Sequence, residues 1–278
     1  MTKPALAEIY RTAFITGAST GLGRAFAEML LGEGVRVWGT SRDPARLDDL
    51  AARCATHFTA VALDLGAGSR AEETFLAADR AAGGFDIVIN NAGFGVFAEF
   101  VPTEFSVWQE QIETMLVQPA RLSQAALRGM LARRHGALVN ISSLAAEFPL
   151  PFQAGYNVVK SGLSALNESL MIETRGTGVV ILDFRPGDYR TDFEGAVRRP
   201  AAVTEPARLT RAWSAFAAMM QTGPVPPHAA VALRRALWAR RSGTVRTGRF
   251  FQAILAPFLA RFGSLDLKRR IQAAYFHV

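Results

Sequence analysis

Residues 12–23 read Thr12-Ala13-Phe14-Ile15-Thr16-Gly17-Ala18-Ser19-Thr20-Gly21-Leu22-Gly23, followed by Arg24-Ala25-Phe26-Ala27-Glu28-Met29-Leu30-Leu31. The apolar run at 12–15 reads as a buried strand, and the pattern from Arg24 as a helix. A strand, a glycine-rich turn and a helix start, in that order, make an anion site. Glycine permits a tight turn and close backbone approach, and the unpaired helix N–H groups face the ligand at the positive end of the dipole. The spacing is Gly-x-x-x-Gly-x-Gly, not the Gly-x-Gly-x-x-Gly of many dinucleotide sites. A chance glycine turn would carry the same letters, so the rest of the chain must supply the context.

Outward from that stretch, strands are expected at 35–40, 58–63, 85–89, 137–141 and 179–184, with a short last one at 244–248. Helices alternate with them: one opened by Asp43 as N-cap and Pro44 at its first position, one stopped by Gly83-Gly84, and others over 107–134, 154–175 and 229–241. This alternation predicts an α/β fold, a Rossmann-like doubly wound parallel sheet covered on both faces. From Asp188 to Pro227 the alternation lapses, and Leu209, Trp213, Phe216 and Met220 mark one face of a helix. Such a stripe is core, or a lid over the crevice at the strand ends. The expected organisation is a single domain over residues 1–278, with a helical lid at about 188–227 and a C-terminal extension at 245–278.

The 278 residues are 50% apolar, enough to bury one large core. A single cysteine, Cys54, excludes an intrachain disulfide. No run reaches membrane-span length, and a first strand beginning near Arg11 leaves no room for a leader, so a cytoplasmic location is expected. The net charge is +7, and residues 198–278 carry 14 Lys and Arg against only Glu205 and Asp266. The basic end therefore meets something acidic, or rests on the acidic body. No nucleic-acid reader motif accompanies it, so nucleic acid is not an expected partner. No metal-ligand cluster stands out either.

Four features fall beyond strand ends, along the ligand crevice of such a sheet. Ser41-Arg42 ends the second strand. A carboxylate there would accept from an adenosine ribose and repel a 2′-phosphate, whereas Arg42 offers a planar fork for that phosphate, which points to NADP(H). Asp64 is placed to accept from an adenine amino group or to cap the next helix. Asn90-Asn91-Ala92-Gly93 has small residues over which a cofactor can pass. Last come Ser143, Tyr156 and Lys160. The latter two are four apart on a helix and so face one side. A phenol is a poor acid or base at neutral pH. A nearby ammonium and a positive nicotinamide would favour the phenolate, and Ser143 would hold the substrate oxygen.

Taken together, Thr16 to Gly23, Asn90 to Gly93, Ser143, Tyr156-x-x-x-Lys160 and Pro186-Gly187 resemble the short-chain dehydrogenase/reductase family over about residues 10–195. The resemblance implies Tyr156 as general acid/base. Lys160 would bind the nicotinamide ribose and lower the tyrosine pKa, and Ser143 rather than Ser142 would position the substrate oxygen. It also implies cofactor contacts from Gly17, Ser19, Thr20, Gly21, Leu22, Gly23, Ser41, Arg42, Asp64, Asn90, Ala92, Gly93, Pro186, Gly187 and Thr191. A homodimer or homotetramer is implied as well. One departure stands out: where the family carries an Asn that holds a relay water, this chain has Met115. A thioether does not replace an amide as a hydrogen-bonding group, so a backbone carbonyl or Gln118 would have to hold the water.

The activity expected is NADP(H)-dependent hydride transfer between a carbonyl and an alcohol. The competing expectation is an NADP-binding regulatory or scaffold protein with little turnover. Phe94, Val96, Phe97, Leu144, Phe148, Leu150, Phe152, Trp213, Phe216 and Met220 predict a bulky apolar substrate. The C-terminal segment mixes Phe250, Phe251, Ile254, Leu255 and Phe258 with Arg246, Arg249, Arg261, Lys268, Arg269 and Arg270. That mixture fits packing on the body, or a weak peripheral contact with an anionic membrane surface.

Overall fold

The computed structural model describes residues 4–191, 193–200, 206–259 and 262–276. The strands are β1 Thr12–Ile15, β2 Arg36–Ser41, β3 Phe58–Ala62, β4 Ile87–Asn90, β5 Gly95–Val96, β6 Gly136–Ile141, β7 Val179–Pro186, β8 Val197–Arg198 and β9 Gly243–Thr247. The helices are α1 Gly21–Gly32, α2 Asp48–Arg53, α3 Ser69–Ala82, α4 Phe105–Ile112, α5 Gln118–Arg133, α6 Ala154–Glu173, α7 Pro206–Gln221, α8 Pro226–Ala239, α9 Ala256–Leu259 and α10 Leu265–Tyr275. Seven strands form one parallel sheet in the order β3-β2-β1-β4-β6-β7-β9. The order reverses between β1 and β4, which opens the crevice that this class of sheet uses for ligands.

Strands buried on both faces explain the apolar runs. Ala13 and Ile15 point to one side and pack with Phe26 and Leu30 of α1 and Leu233 and Leu237 of α8. Phe14 points to the other and packs with Phe75 of α3 and Leu122 and Met130 of α5. Its ring meets those of Phe75 and Phe85 at centroid distances of 5.0 and 5.2 Å. The helix signals act as the sequence implies. Asp43 accepts from Ala45 N at 3.1 Å, and Gly83 ends α3 in the left-handed region at φ +79°.

Three features go beyond the sequence reading. The long helix expected over 107–134 is α4 and α5 joined by a single π-helical turn, Glu113–Val117, which carries Met115. Beyond the main sheet, β5 and β8 pair in parallel as a two-stranded sheet. The C-terminal segment is itself helical, with a π-turn at Phe251–Leu255 before α9 and α10. Among the described residues no helix is long and apolar enough to cross a membrane.

Candidate active site

The glycine turn is bolted to its neighbours by short polar groups. Thr16 Oγ1 accepts from Asn91 N at 2.8 Å and from Ala92 N at 3.0 Å. Asn91 Nδ2 donates to Thr16 O at 3.0 Å and to Gly17 O at 3.1 Å. Ala18 N donates to Thr40 O at 2.8 Å. Gly17 and Gly21 take φ of +69° and +57°, a conformation that side chains resist. Thr20 caps α1 without using its hydroxyl.

These groups form one end of a cavity of about 1520 Å³. Its wall takes in Gly17, Ser19, Thr20, Gly21, Leu22, Ser41, Arg42, Asp64, Ala92, Gly93, Ser143, Tyr156, Lys160, Pro186, Gly187 and Thr191. The strand order and the turns thus bring together all but two of the catalytic and cofactor-contact residues expected from the sequence. Asn90 is the first exception. Its side chain turns away from the cavity and donates to Asn140 Oδ1 at 2.7 Å and Ser123 Oγ at 3.1 Å. The wall residue of that pair is Asn91. Gly23 is the second: a Cβ there would run into Gly17 O and Asn91 Nδ2, so this glycine serves close packing behind the turn. Asp64 lies on the wall and caps the turn that follows it, accepting from Gly66 N at 2.9 Å.

Ser143, Tyr156 and Lys160 lie along the same cavity. Ser143 is a neighbour of the phenol, and its hydrogen bond favours ionisation, but burial dominates and Asp188 adds to it. Tyr156 is pushed up to about 12. The expectation that Lys160 depresses the tyrosine is therefore not met in the chain alone. Lys160 Nζ donates to Ile141 O at 2.7 Å and sits 5.4 Å from the centre of the Tyr156 ring. Burial pulls its ammonium down to about 8, and the Asp183 carboxylate opposes that pull. Ser142, the alternative to Ser143, is committed elsewhere: its hydroxyl donates to Asp183 Oδ1.

Asp183 escaped the sequence reading. It is fully buried and also accepts from Ser164 Oγ at 2.6 Å, Asn167 Nδ2 at 3.0 Å and Arg185 Nε at 2.7 Å. The available signal was an acidic residue inside an apolar strand, which requires partners wherever it occurs. Arg46 was missed too, and joins Arg42 on the wall. So was Asp188, whose carboxyl burial pushes up while the Gln252 hydrogen bond and the Arg249 charge oppose.

Met115 is 2% exposed and lies on the cavity wall. Its sulfur accepts from Phe94 N at 3.3 Å, and its methyl abuts Gly93. Gln118 does not line the cavity. It is fully buried and its Nε2 donates to Glu113 Oε1 at 2.8 Å.

The other end of the cavity is apolar. Phe94, Leu144, Phe148, Leu150, Phe216 and Met220 line it as expected. Val96, Phe97, Phe152 and Trp213 do not. They pack behind the wall, Phe97 against Trp213 and Phe216 at centroid distances of 5.2 and 5.9 Å. The C-terminal segment adds Phe251, Phe262, Leu267 and Ile271. It is tied down over the loop between Ser143 and Tyr156. Lys268 Nζ donates to Glu147 O, Arg246 Nε to Glu147 Oε1 at 2.7 Å, and Gln272 Nε2 to Pro149 O at 2.9 Å. Arg261, part of the basic set, lies outside the described residues.

A family model described as "short chain dehydrogenase" matches residues 11–202. The chain belongs to the short-chain dehydrogenase/reductase family. An uncharacterized oxidoreductase of Myxococcus xanthus is 36% identical over 187 residues, 66% of this chain and 74% of that one. A 3-oxoacyl-[acyl-carrier-protein] reductase of Vibrio cholerae is 30% identical over 187 residues, 67% and 77% of the two chains. The crystal structure of a short-chain dehydrogenase from Streptomyces avermitilis superposes with a TM-score of 0.80 at 28% identity, covering 94% of this chain and 96% of that one. As a short-chain dehydrogenase/reductase the chain is an oxidoreductase acting between CH–OH and C=O, in a family solved with NADP and with NAD.

Proposed function

We propose that this short-chain dehydrogenase/reductase is an NADP(H)-dependent enzyme that interconverts a carbonyl and an alcohol on a bulky apolar substrate, with Tyr156 as acid/base. One observation carries the reading: a single cavity runs from the glycine turn and Arg42, past Ser143, Tyr156 and Lys160, to an apolar end.

The residues present fit the dinucleotide. Gly17 and Gly21 keep side chains out of the cradle, and α1 presents its N-terminus there. Arg42 and Arg46 would hold a 2′-phosphate. The nearby carboxylate of Asp43 is occupied with Ala45 N. Asn91, Pro186, Gly187 and Thr191 would line the path towards Lys160. When bound, the cofactor supplies or accepts the hydride. The chain's own residues handle the proton. With Tyr156 pushed up to about 12, its hydroxyl is protonated at neutral pH and is poised to donate to a carbonyl oxygen that Ser143 holds. Lys160, fixed by Ile141 O, supplies positive charge close to the phenol below about pH 8.

We further propose that α7 and the C-terminal segment act as the lid, and that the enzyme works as a cytoplasmic homodimer or homotetramer. Exposed Phe250, Ile254 and Phe258 support a second, peripheral contact with an anionic membrane surface. Against an electrostatic anchor, Arg246 and Lys268 are already engaged with Glu147. Sedimentation with anionic liposomes separates the two: binding at low salt that is lost at high salt supports the contact, and no binding at low salt removes it.

The test of the main reading is a panel of aliphatic, alicyclic and aromatic ketones followed by NADPH absorbance. Turnover that favours large apolar members is the expected result. Tight NADPH binding with no turnover across the panel would instead support the regulatory or scaffold reading.

A further inference from the structure

Gln153 precedes α6 by one residue and Tyr156 by three. It is 1% exposed and lies on the cavity wall, yet neither its Nε2 nor its Oε1 has a hydrogen-bond partner among the described residues. Other glutamines with a buried, unpaired oxygen still use their nitrogen. Gln111 Nε2 donates to Phe94 O, Gln118 Nε2 to Glu113, and Gln252 Nε2 to Asp188. An amide left wholly unpaired in an apolar wall is costly, and the fold keeps it there by force. Phe152, immediately before it, takes φ +59°, a strained conformation for a bulky residue. Several bonds hold that turn. Ala98 N donates to Phe152 O at 2.8 Å, Asn157 N donates to Gln153 O at 2.9 Å, and the Asn157 side chain bonds both Leu150 N and Leu150 O.

We infer that Gln153 anchors a second oxygen of the substrate, a hydroxyl, so that the preferred compounds are apolar carbonyls bearing an additional hydroxyl group. This rests on the oxidoreductase reading above. The chemistry selects the group. An amide both donates and accepts, and a hydroxyl meets both needs. A carboxylate would engage only the NH₂ and face the amide oxygen with its charge, and a second carbonyl would leave that oxygen unpaired.

The test uses a decalone, its ring-hydroxylated isomers, a diketone and a ring carboxylic acid of the same skeleton. Each is assayed for kcat/KM with NADPH and for binding to the NADPH-loaded protein by calorimetry. Wild type should prefer at least one hydroxylated isomer over the parent by about 10-fold or more, with the diketone and acid behind it. In Gln153→Leu and Gln153→Met that ratio should collapse to about twofold or less. The melting temperature should not drop, since a buried unpaired amide has been replaced by an apolar group. No preference in wild type, a preference that survives both variants, a preference for the acid or diketone, or a fall of more than about 4 °C in both variants would overturn the anchor. The two readings fail separately. Hydroxyl-selective, Gln153-dependent binding without turnover upholds the anchor and removes the oxidoreductase reading. Turnover with no dependence on Gln153 does the reverse.

Discussion

The two ends of the cavity are built from different materials. At the end near β1 and β2, backbone and short polar side chains fix every position: Thr16, Thr40 and Asn91 hold the glycine turn with bonds of 2.8 to 3.1 Å. At the other end, long apolar side chains from α7 and the C-terminal segment form much of the wall, held by longer side chains that include Gln252 to Asp188, Arg246 to Glu147, Lys268 to Glu147 O and Gln272 to Pro149 O. The first end works only with particular residues at particular spacing. The second tolerates exchange among apolar residues of similar volume. Chemistry is therefore specified tightly and substrate shape loosely.

After loss of the Tyr156 hydroxyl itself, the largest effect should come from Lys160, which lies between the two ends. Lys160→Met removes a charge that both Ile141 O and Asp183 support, and turnover should fall about 10²- to 10³-fold, on the scale of lost acid–base assistance. The same residue sets a pH signature. Its pKa is lowered, so the ammonium is present below about pH 8 and lost above it. Wild-type carbonyl reduction should be flat up to about pH 8 and decline beyond, and the inflection should vanish in the variant. A flat profile in wild type would detach Lys160 from the chemistry.

Next in size is a change confined to the polar end. Arg42→Ala should weaken NADPH binding about 10- to 100-fold, as for a lost hydrogen bond to a charged group, and leave NADH nearly unchanged. Titration of cofactor fluorescence measures both, and equal losses would show that Arg42 does not read the 2′-phosphate.

Changes confined to the apolar end should do the opposite. Leu267 and Ile271 line the cavity but are 51% and 59% exposed, so truncating them disturbs little packing. Leu267→Ala with Ile271→Ala should raise KM for a large ketone about 5- to 30-fold through lost apolar contact. NADPH affinity and melting temperature should stay as in wild type. A shift in cofactor affinity instead would mean that the two ends are not separable.

The smallest functional effect is expected at Met115, where the ends meet. Met115→Asn should leave turnover unchanged or raise it. Thermal unfolding should show a loss of about 1–3 kcal/mol, because the side chain is 2% exposed and well packed. A clear fall in turnover with NADPH affinity intact would show that the thioether packs on the substrate.

The same contrast explains what could be read from the sequence. The parallel sheet, Gly17, Arg42, Ser143, Tyr156 and Lys160 were legible, because strand runs and strand-end motifs carry fixed letters. Asn90 was chosen over Asn91 because the two are adjacent and only the pleat decides which one faces the cavity. The raised phenol of the chain alone was not legible, because burial, which no motif records, outweighs the other influences on it. The wall contributed by Phe251, Leu267 and Ile271 was hidden because its contacts with Glu147 and Pro149 span more than a hundred residues. Phe97 and Trp213, which read as substrate contacts, belong to the packing behind the wall.

The central claim is that Tyr156 moves the proton while the rest of the cavity binds. Tyr156→Phe keeps the ring and removes only the hydroxyl. Its NADPH-dependent reduction of the best ketone should be about 10²- to 10⁴-fold slower than wild type, with NADPH bound as tightly as before. Turnover within a few-fold of wild type, with the cofactor still bound, would contradict the account.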